Sequence, residues 1–172
     1  ISVIDSKTAS LAQGLIVSVA AEAAQNGKSH GEILKIIDES KEKTELYAII
    51  PDLAYAVRGG RVKSSKKKIA DIFNITPILT IESTGNIKTA AYTIGKKHIV
   101  NKLTSFVIKK MDPDKSYRIL IGHANSKIRG NNALSIMEEK LKSIHSIHLI
   151  DLGLALGVHG GPGSIAVAFM EQ

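Results

Sequence analysis

The chain contains no cysteine and no tryptophan, and aromatic residues make up only 4% of it. The missing thiols exclude a disulfide scaffold, a thiolate nucleophile and any zinc or iron–sulfur site built on cysteine. Few aromatic rings leave few platforms on which nucleic-acid bases could stack. No apolar run approaches the roughly 20 residues that span a bilayer, and no basic segment followed by an apolar one opens the chain. A cytoplasmic location without a transmembrane segment is therefore the expectation.

The composition that remains is that of an ordinary globular protein. Of the 172 residues, 44% are hydrophobic and 23% are charged, and the mean hydropathy is +0.06. A chain of this length can bury one core or two small ones. The segment Ile1–Asp5 reads as a strand already in progress. We therefore expect the chain to be a piece of a longer protein, with Val3 and Ile49 on strands that lack neighbours.

The net charge of +7 is concentrated in the middle of the chain. Residues 61–110 contain 11 Lys and Arg against 2 Asp and Glu, whereas residues 1–60 contain 6 against 8 and residues 111–172 contain 6 against 6. A basic surface can attract nucleic acid, anionic lipid or a phosphorylated ligand. The same charges can equally form a solvated surface, and the sequence leaves these alternatives open.

Hydrophobic spacing predicts helices and strands that alternate along the first third of the chain. Apolar residues at four-residue spacing predict the first helix, and the pair Ser29 and Glu32 has the spacing of a capping box at the start of the second. The predicted elements are, in order, a strand at 2–5, a helix from Leu11 to Ala23, a helix from Ser29 to about Lys43, a strand at 46–50 and a helix at 52–57 closed by Gly59-Gly60.

The rest of the chain continues this alternation. Gly85-Asn86 predicts a turn between two strands and so an antiparallel hairpin, and a strongly amphipathic helix begins at Ile99. Because helices separate most strands and one hairpin is present, we predict an α/β fold with a mixed sheet. The predicted elements are a helix at 69–73, strands at 75–82 and 87–93, a helix at 99–109, a strand at 117–121, a helix at 133–144, a strand at 148–152, a loop at 157–163 and a strand at 164–170.

Two glycine-rich segments are candidates for binding an anion. Arg58-Gly59-Gly60-Arg61 places two permanent cations around a backbone that can adopt unusual dihedral angles, which suits a carboxylate or a phosphate. In His159–Ser164, three glycines let amides point at an anion, beside a histidine that can donate a hydrogen bond. The alternatives are a helix C-cap with surface arginines for the first segment and a tight turn for the second.

Two polar segments are further candidates. His123 and Asn125 follow an apolar strand, and ligands of open α/β sheets gather at the carboxyl ends of strands. A histidine that only caps its strand explains this pattern equally well. The segment Asp5–Ser10 could cradle an anion at a helix N-terminus, and helix capping is its alternative.

Enzymatic motifs are absent from the sequence. It contains no G-x-x-x-x-G-K-[ST], no G-x-G-x-x-G and no G-x-S-x-G. His145 and His148 are three residues apart, but their neighbours predict an exposed helix end and no metal site. We therefore expect no catalytic residue, no cofactor and no metal, and a binding module in place of an enzyme.

The ordered set of motifs resembles the DegV family of bacterial proteins, which are fatty-acid-binding subunits that present a fatty acid to a partner kinase. The matching segments are Val3–Ser10 followed by Gly14-Leu15, Tyr55 with Arg58–Arg61, Ile75–Leu79, His123-Ala124 and Gly157–Gly163. They follow the family's order, with similar spacing, over nearly the whole chain.

The resemblance implies a two-lobed protein in which the ligand lies between the lobes, with its carboxylate near the surface and its acyl chain buried. It assigns residues 1–57 to the trailing part of a parallel α/β first lobe. Residues 58–172 then form a second lobe, a mixed sheet with helices on one face. The hydroxyl residues that hold the carboxylate in the family lie upstream of this chain.

The resemblance also assigns residues to the ligand head group. His159 matches the family histidine that approaches the carboxylate, and Arg61 matches an arginine near the carboxylate and the partner interface. Lys96 stands in a stretch that reads Arg-Gly-Arg-Lys in the family and Ile94–Lys97 here, so the first arginine is missing. The expected head-group residues are His159, Arg61, Gly160 and Gly161, and further candidates for ligand or partner contact are Arg58, His123 and Lys96.

The function that the resemblance implies is binding of a long-chain fatty acid and presentation of its carboxylate to a fatty-acid kinase subunit for acyl-phosphate formation. An apolar interior rich in Ile, Leu, Val and Ala suits burial of such a tail. The alternatives are a basic nucleic-acid-binding α/β domain and a phosphotransferase subunit that binds a small phosphorylated ligand. We favour the reading without nucleic acid, because neither aromatic interleaving nor a known nucleic-acid motif is present.

Overall fold

The computed structural model describes residues 1–63, 68 and 74–172. The predicted helix at 69–73 lies outside these described residues. The elements are α1 (Ser10–Gln25), α2 (His30–Glu42), β1 (Thr44–Ile49), α3 (Leu53–Arg58), β2 (Ile75–Ile81), β3 (Ile87–Ile94), α4 (Ile99–Ile108), β4 (Tyr117–His123), α5 (Lys127–Lys140), β5 (Ile144–Asp151), α6 (Leu154–Gly160) and β6 (Ile165–Glu171).

The six strands of the described residues form one mixed sheet in the order β3-β2-β1-β6-β4-β5. The β2–β3 hairpin is antiparallel, as are the pairs β1–β2, β1–β6 and β4–β6, and among these strands only β4 and β5 run parallel. A parallel pair needs a crossover connection, and α5 supplies it between β4 and β5. The predicted α/β fold with a mixed sheet and a hairpin is confirmed.

The two faces of the sheet bury different sets of side chains. Because successive residues of a strand point to opposite faces, Ile119 and Ile121 of β4 pack toward α4 and α5, whereas Leu120 packs toward α1. On the α4 side, Leu103 and Val107 are fully buried. This face carries the main core, and the α1 face carries a second, smaller one.

Local sequence rules explain where the helices begin. At the start of α2, the Glu32 amide donates to Ser29 Oγ at 3.4 Å and the Ser29 amide donates to Glu32 Oε2 at 2.9 Å, so the predicted capping box is present. The Ser29 amide and hydroxyl both donate to the Glu32 carboxylate, and these bonds, with a further one from Lys28, lower the pKa of the Glu32 carboxyl to about 2. In α4 the amphipathic pattern places its apolar residues against the sheet, as predicted.

Two predictions about strands near the start of the chain are wrong. Residues 2–5 form no strand, and Val3 is 99% exposed. The segment is apolar enough for a strand, but within the described chain no strand pairs with it, and hydrogen-bonded partners are what make an extended segment a strand. Ile49 lies on β1, which has β2 on one side and β6 on the other, and its side chain is buried in the main core.

Three predicted boundaries in the second half are also wrong. The fifth helix runs from Lys127 to Lys140, not over 133–144, because Ile144 pairs with Tyr117 and so begins β5. His145 and His148 consequently lie on a strand and not at a helix end. The predicted loop at 157–163 is helical up to Gly160.

The expected division between residues 57 and 58 stays a prediction about the longer protein. In the described chain β1, from the first segment, lies between β2 and β6 and is a central strand of the sheet. None of the described helices is both long and apolar enough to cross a membrane.

Candidate functional site

An open cleft of about 430 Å³ lies on the α1 face of the sheet, next to the N-terminus of α1. Strands β1, β2 and β6 form its floor with small and apolar side chains that include Ala48, Leu79 and Ala166. Helix α6 forms one wall with Leu156 and His159. The cleft is therefore mainly apolar, with a histidine at its side.

A second cleft of about 500 Å³ continues over β2 and β3. The two clefts share the lining residues Arg61, Val62, Leu79 and Ile87. We refer to them together as the trough. Arg61 lies where the two clefts meet, so it stands between a mainly apolar cleft on the α1 face and a second cleft that Lys63 and Lys88 also line.

The two glycine-rich segments predicted to bind an anion pack against each other at the ends of α3 and α6. A Cβ atom on Gly59 would lie 2.0 Å from His159 Nδ1, and a Cβ atom on Gly161 would lie 2.4 Å from Tyr55 Cδ2. Both distances are too short for any real contact, so Gly59 makes room for the His159 ring and Gly161 makes room for the ring of Tyr55 in α3. Gly161 also has a φ of +73°, which favours glycine.

This contact fixes how His159 is presented. Its Nδ1 atom is buried against Gly59 and has no hydrogen-bond partner among the described residues. A buried polar atom without a partner costs roughly 1–3 kcal/mol. With Nδ1 enclosed, Nε2 is the ring nitrogen that a ligand in the cleft can reach.

The two arginines of the first segment have different surroundings. Arg61 is exposed, lines the trough, and donates a hydrogen bond from Nη1 to the Gly59 carbonyl at 2.7 Å. The Arg58 guanidinium lies 5.8 Å from the centroid of the Tyr55 ring, in a cation–π arrangement. Arg61 and His159 are therefore the two predicted residues with ionisable side chains that the structure brings to one cleft.

Of the two predicted head-group glycines, one lines the cleft. Gly160 lines it together with Ser164, whose hydroxyl is buried and donates to the Gly160 carbonyl at 2.5 Å. The Gly161 amide donates to the Gly157 carbonyl at 2.7 Å. Since this bond uses its only donor, Gly161 shapes the site through its missing side chain and not through its amide.

His123 lies on the other face of the sheet, away from the trough. It is only 4% exposed, its ring packs against Gly130, and its Nδ1 atom is 3.2 Å from Asp151 Oδ1. The Ser126 amide also donates to this Nδ1 atom at 3.4 Å. The structure thus shows a histidine with local partners, in keeping with the alternative that it caps its strand.

Lys96 and the segment Asp5–Ser10 occupy the margins of the site. Lys96 is exposed and lies two residues after the last residue of β3. Ile87, which lines both clefts, is the first residue of the same strand. Ser10 lines the cleft, and within the part of the chain that the structure describes no side chain caps α1. A hydrogen bond from Lys7 lowers the pKa of the Asp5 carboxyl. Helix capping therefore does not explain this segment.

Sequence reasoning missed Arg129, whose guanidinium donates to the Gly163 carbonyl at 2.7 Å. The sequence holds a signal for this residue. When α5 is taken to begin at Lys127, Arg129 falls in the first turn of a helix that follows the carboxyl end of β4. With the helix predicted to begin at residue 133, this arginine stayed in a loop. Within residues 1–63 and 74–172, no group of three or more His, Asp or Glu side chains is arranged to hold a metal ion.

Comparison with known proteins gives a family match over the whole chain. The model of the family described as "Uncharacterised protein, DegV family" matches residues 1–172. A DegV domain-containing protein of Clostridium perfringens is 30% identical over 169 residues, which cover 98% of this chain and 59% of that protein. Protein DegV of Bacillus subtilis is 30% identical over 172 residues, which cover 96% of this chain and 58% of that protein. The chain thus spans less than two thirds of the length of these relatives.

Solved structures show the same fold. The Fatty Acid Kinase (Fak) B3 protein of Streptococcus pneumoniae, loaded with linoleic acid, has a TM-score of 0.87 at 19% identity, over 100% of this chain and 60% of that one. The fatty acid binding DegV family protein of Streptococcus agalactiae has a TM-score of 0.82 at 24% identity, over 100% of this chain and 60% of that one. At these identities the likeness establishes the fold, and it confirms the fold expected from the resemblance.

Proposed function

This chain belongs to the DegV family, and on that premise we propose that it forms part of a protein that buries a long-chain fatty acid and presents the carboxylate to a partner kinase for acyl-phosphate formation. One observation carries the proposal, namely that His159 and Arg61 both line the mainly apolar cleft on the α1 face. The linoleic acid in the pneumococcal Fak B3 protein, which shares the fold, supports it. In this role the chain binds and orients a substrate, works in the cytoplasm and needs no catalytic group of its own.

Tail burial supplies most of the affinity in this proposal. The floor of the trough is built from aliphatic side chains, and each methylene removed from water contributes about 0.8 kcal/mol. Because 1.4 kcal/mol corresponds to a tenfold change, each added methylene should tighten binding by about fourfold until the trough is filled. In a protein as long as its relatives, the rest of the first lobe would cover the open side of the trough.

Two side chains orient the head group, a histidine and an arginine. His159 Nε2 can donate a hydrogen bond to the carboxylate, and Arg61 has donors left after its bond to the Gly59 carbonyl. Hydrogen bonds that involve a charged group contribute about 1.5–3 kcal/mol each. The same cation would offset the negative charge that grows as the partner kinase transfers a phosphoryl group to the carboxylate.

The test compares an acid with its uncharged analogue in the full-length protein that contains this chain. Delipidated protein is titrated with oleic acid and with oleyl alcohol, for the wild type, for a variant with Arg61→Ala and His159→Ala together, and for the control Lys109→Ala. Lys109 is exposed and lies at the end of α4, away from the trough. We expect the double variant to lose at least about tenfold in affinity for oleic acid, with little change for the alcohol.

Equal losses for acid and alcohol would show that the two residues do not hold the head group. Native mass spectrometry of the protein from its host adds a second check, since the proposal requires a retained mass that matches a fatty acid. An empty protein whose binding to nucleic acid falls steeply with salt would favour the nucleic-acid alternative. Binding of a small phosphorylated ligand without lipid would favour the phosphotransferase alternative.

A further inference from the structure

The turn that follows α6 is tied to the carboxyl end of β4. The Gly163 amide donates to the Ala124 carbonyl at 2.8 Å, and the Ala124 amide donates to the Ser164 carbonyl at 3.0 Å. Gly161 and Gly163 have φ values of +73° and +84°, which let the chain reverse tightly between α6 and β6. The end of α6 that carries His159 therefore depends on this turn.

Arg129 reaches into the same turn from α5. It is half-buried, its Nη1 atom donates to the Gly163 carbonyl at 2.7 Å, and a Cβ atom on Gly163 would lie 2.4 Å from this Nη1 atom. The guanidinium thus occupies the space that any side chain at position 163 would need. A bond from a charged donor is stronger than one between neutral groups.

The position of Arg129 is unfavourable for α5 itself. The N-terminus of a helix carries partial positive charge, and cations there are destabilising by about 0.3–1 kcal/mol each. The first turn of α5 nevertheless contains Lys127 and Arg129 and no acidic residue, and no side chain of the described residues caps it. An arginine at this place therefore gives no benefit to the helix, and its bond to the turn is the interaction that offsets the cost.

We propose that Arg129 is a positioning residue for His159. By holding the Gly163 carbonyl, it fixes the turn that keeps Gly161 against Tyr55 and the last turn of α6 against Gly59. The imidazole is then held with Nε2 at the cleft. This inference rests on the proposed function for its effect on ligands, but its effect on His159 needs no ligand at all.

The first experiment observes His159 in the full-length protein without lipid. Histidine side-chain resonances are recorded by NMR, with the His159 signal identified by its loss in the variant His159→Gln. We expect Arg129→Ala to shift this signal, Arg129→Lys to shift it less because one donor is kept, and Lys127→Ala to leave it in place. An unchanged His159 signal in a folded Arg129→Ala variant would overturn the proposal.

The second experiment measures the ratio of affinities for oleic acid and oleyl alcohol. Arg129→Ala should lower this ratio by about three- to tenfold, as expected for loss of a well-placed hydrogen bond. In a His159→Ala background the same change should have less than about a twofold effect, because a positioning residue acts only through the residue it holds. An undiminished effect in that background would instead make Arg129 a direct ligand contact. If the wild type does not distinguish acid from alcohol, the proposed function fails, and the NMR result still decides this inference.

Discussion

Replacing Gly59 by alanine should displace the His159 ring without straining the backbone. Gly59 has a φ of −77° and a ψ of 0°, which alanine adopts without strain. The new methyl group would lie 2.0 Å from His159 Nδ1, which is 1.4 Å short of the 3.4 Å at which ordinary contact begins. The backbone can therefore stay, and the imidazole must move by about that difference.

Moving the imidazole should weaken oleic acid binding strongly and lower the free energy of unfolding only slightly. Overpacking costs about 1–3 kcal/mol, and the lower unfolded-state entropy of alanine returns about 0.4–1 kcal/mol. Because the ring can retreat toward the open cleft, we expect a net loss of at most about 2 kcal/mol in the free energy of unfolding. Hydrogen-bond lengths span only about 0.5 Å, so a shift of 1.4 Å from Gly59→Ala removes the bond from His159 Nε2 and with it about tenfold in oleic acid affinity.

Gly60→Ala is the matched control. Gly60 has a φ of +71°, and no atom of the described residues lies within 4 Å of its Cβ position. Alanine there should cost about 1–2 kcal/mol of stability through backbone strain, without touching the imidazole. Each variant is titrated with oleic acid and oleyl alcohol and unfolded by heat. Gly59→Ala should lower the ratio of acid to alcohol affinity, whereas Gly60→Ala should lower the stability and leave that ratio unchanged. If Gly59→Ala leaves the ratio of acid to alcohol affinity unchanged, the role given to His159 is refuted.

Two further predictions concern stability alone. Ser29→Ala should cost about 1 kcal/mol by removing the cap of α2. Because the pKa of Glu32 is lowered from 4.5 to about 2, the contribution of its charged form is present above pH 4.5 and lost as pH falls toward 2. The difference in Tm between wild type and variant should therefore shrink over this range, and a constant difference would contradict it. Leu103→Ala, at a fully buried position of the main core, should lower the free energy of urea unfolding by about 2–5 kcal/mol, and a loss near 0.5 kcal/mol would contradict the packing.

The sequence predicts well those elements whose signal is local. The capping box at Ser29, the amphipathic pattern of α4 and the hairpin around Gly85-Asn86 each depend on residues within a few positions, and each is present. The end of α5 fails for a physical reason. Leu141 and Ile144 continue the helical spacing, but the pairing of Ile144 with Tyr117, which is remote in sequence, converts this segment to a strand.

The site depends on contacts that spacing cannot reveal. Arg61 and His159 are 98 positions apart in the chain, and only the packing of α3 against α6 brings them to one cleft. The resemblance to a family supplied this pairing, and the residues alone did not. The prediction that His123 lies at the end of a strand is right. Its register in the sheet, opposite Ile165 of the main core, places it on the face away from the trough, and spacing does not reveal this.

The glycines of the two segments have different structural roles, and these roles differ from the anion-binding role that the sequence pattern predicts. Gly59 leaves room for an imidazole, Gly161 for a phenol ring and Gly163 for a guanidinium, whereas Gly60 only permits a positive φ. None of these purposes is to aim an amide at an anion, although glycine-rich loops often do so. Glycine here allows one side chain to be held by the backbone of another segment, so a change at 59 or 163 should act on the ligand through His159, and a change at 60 should act on stability alone.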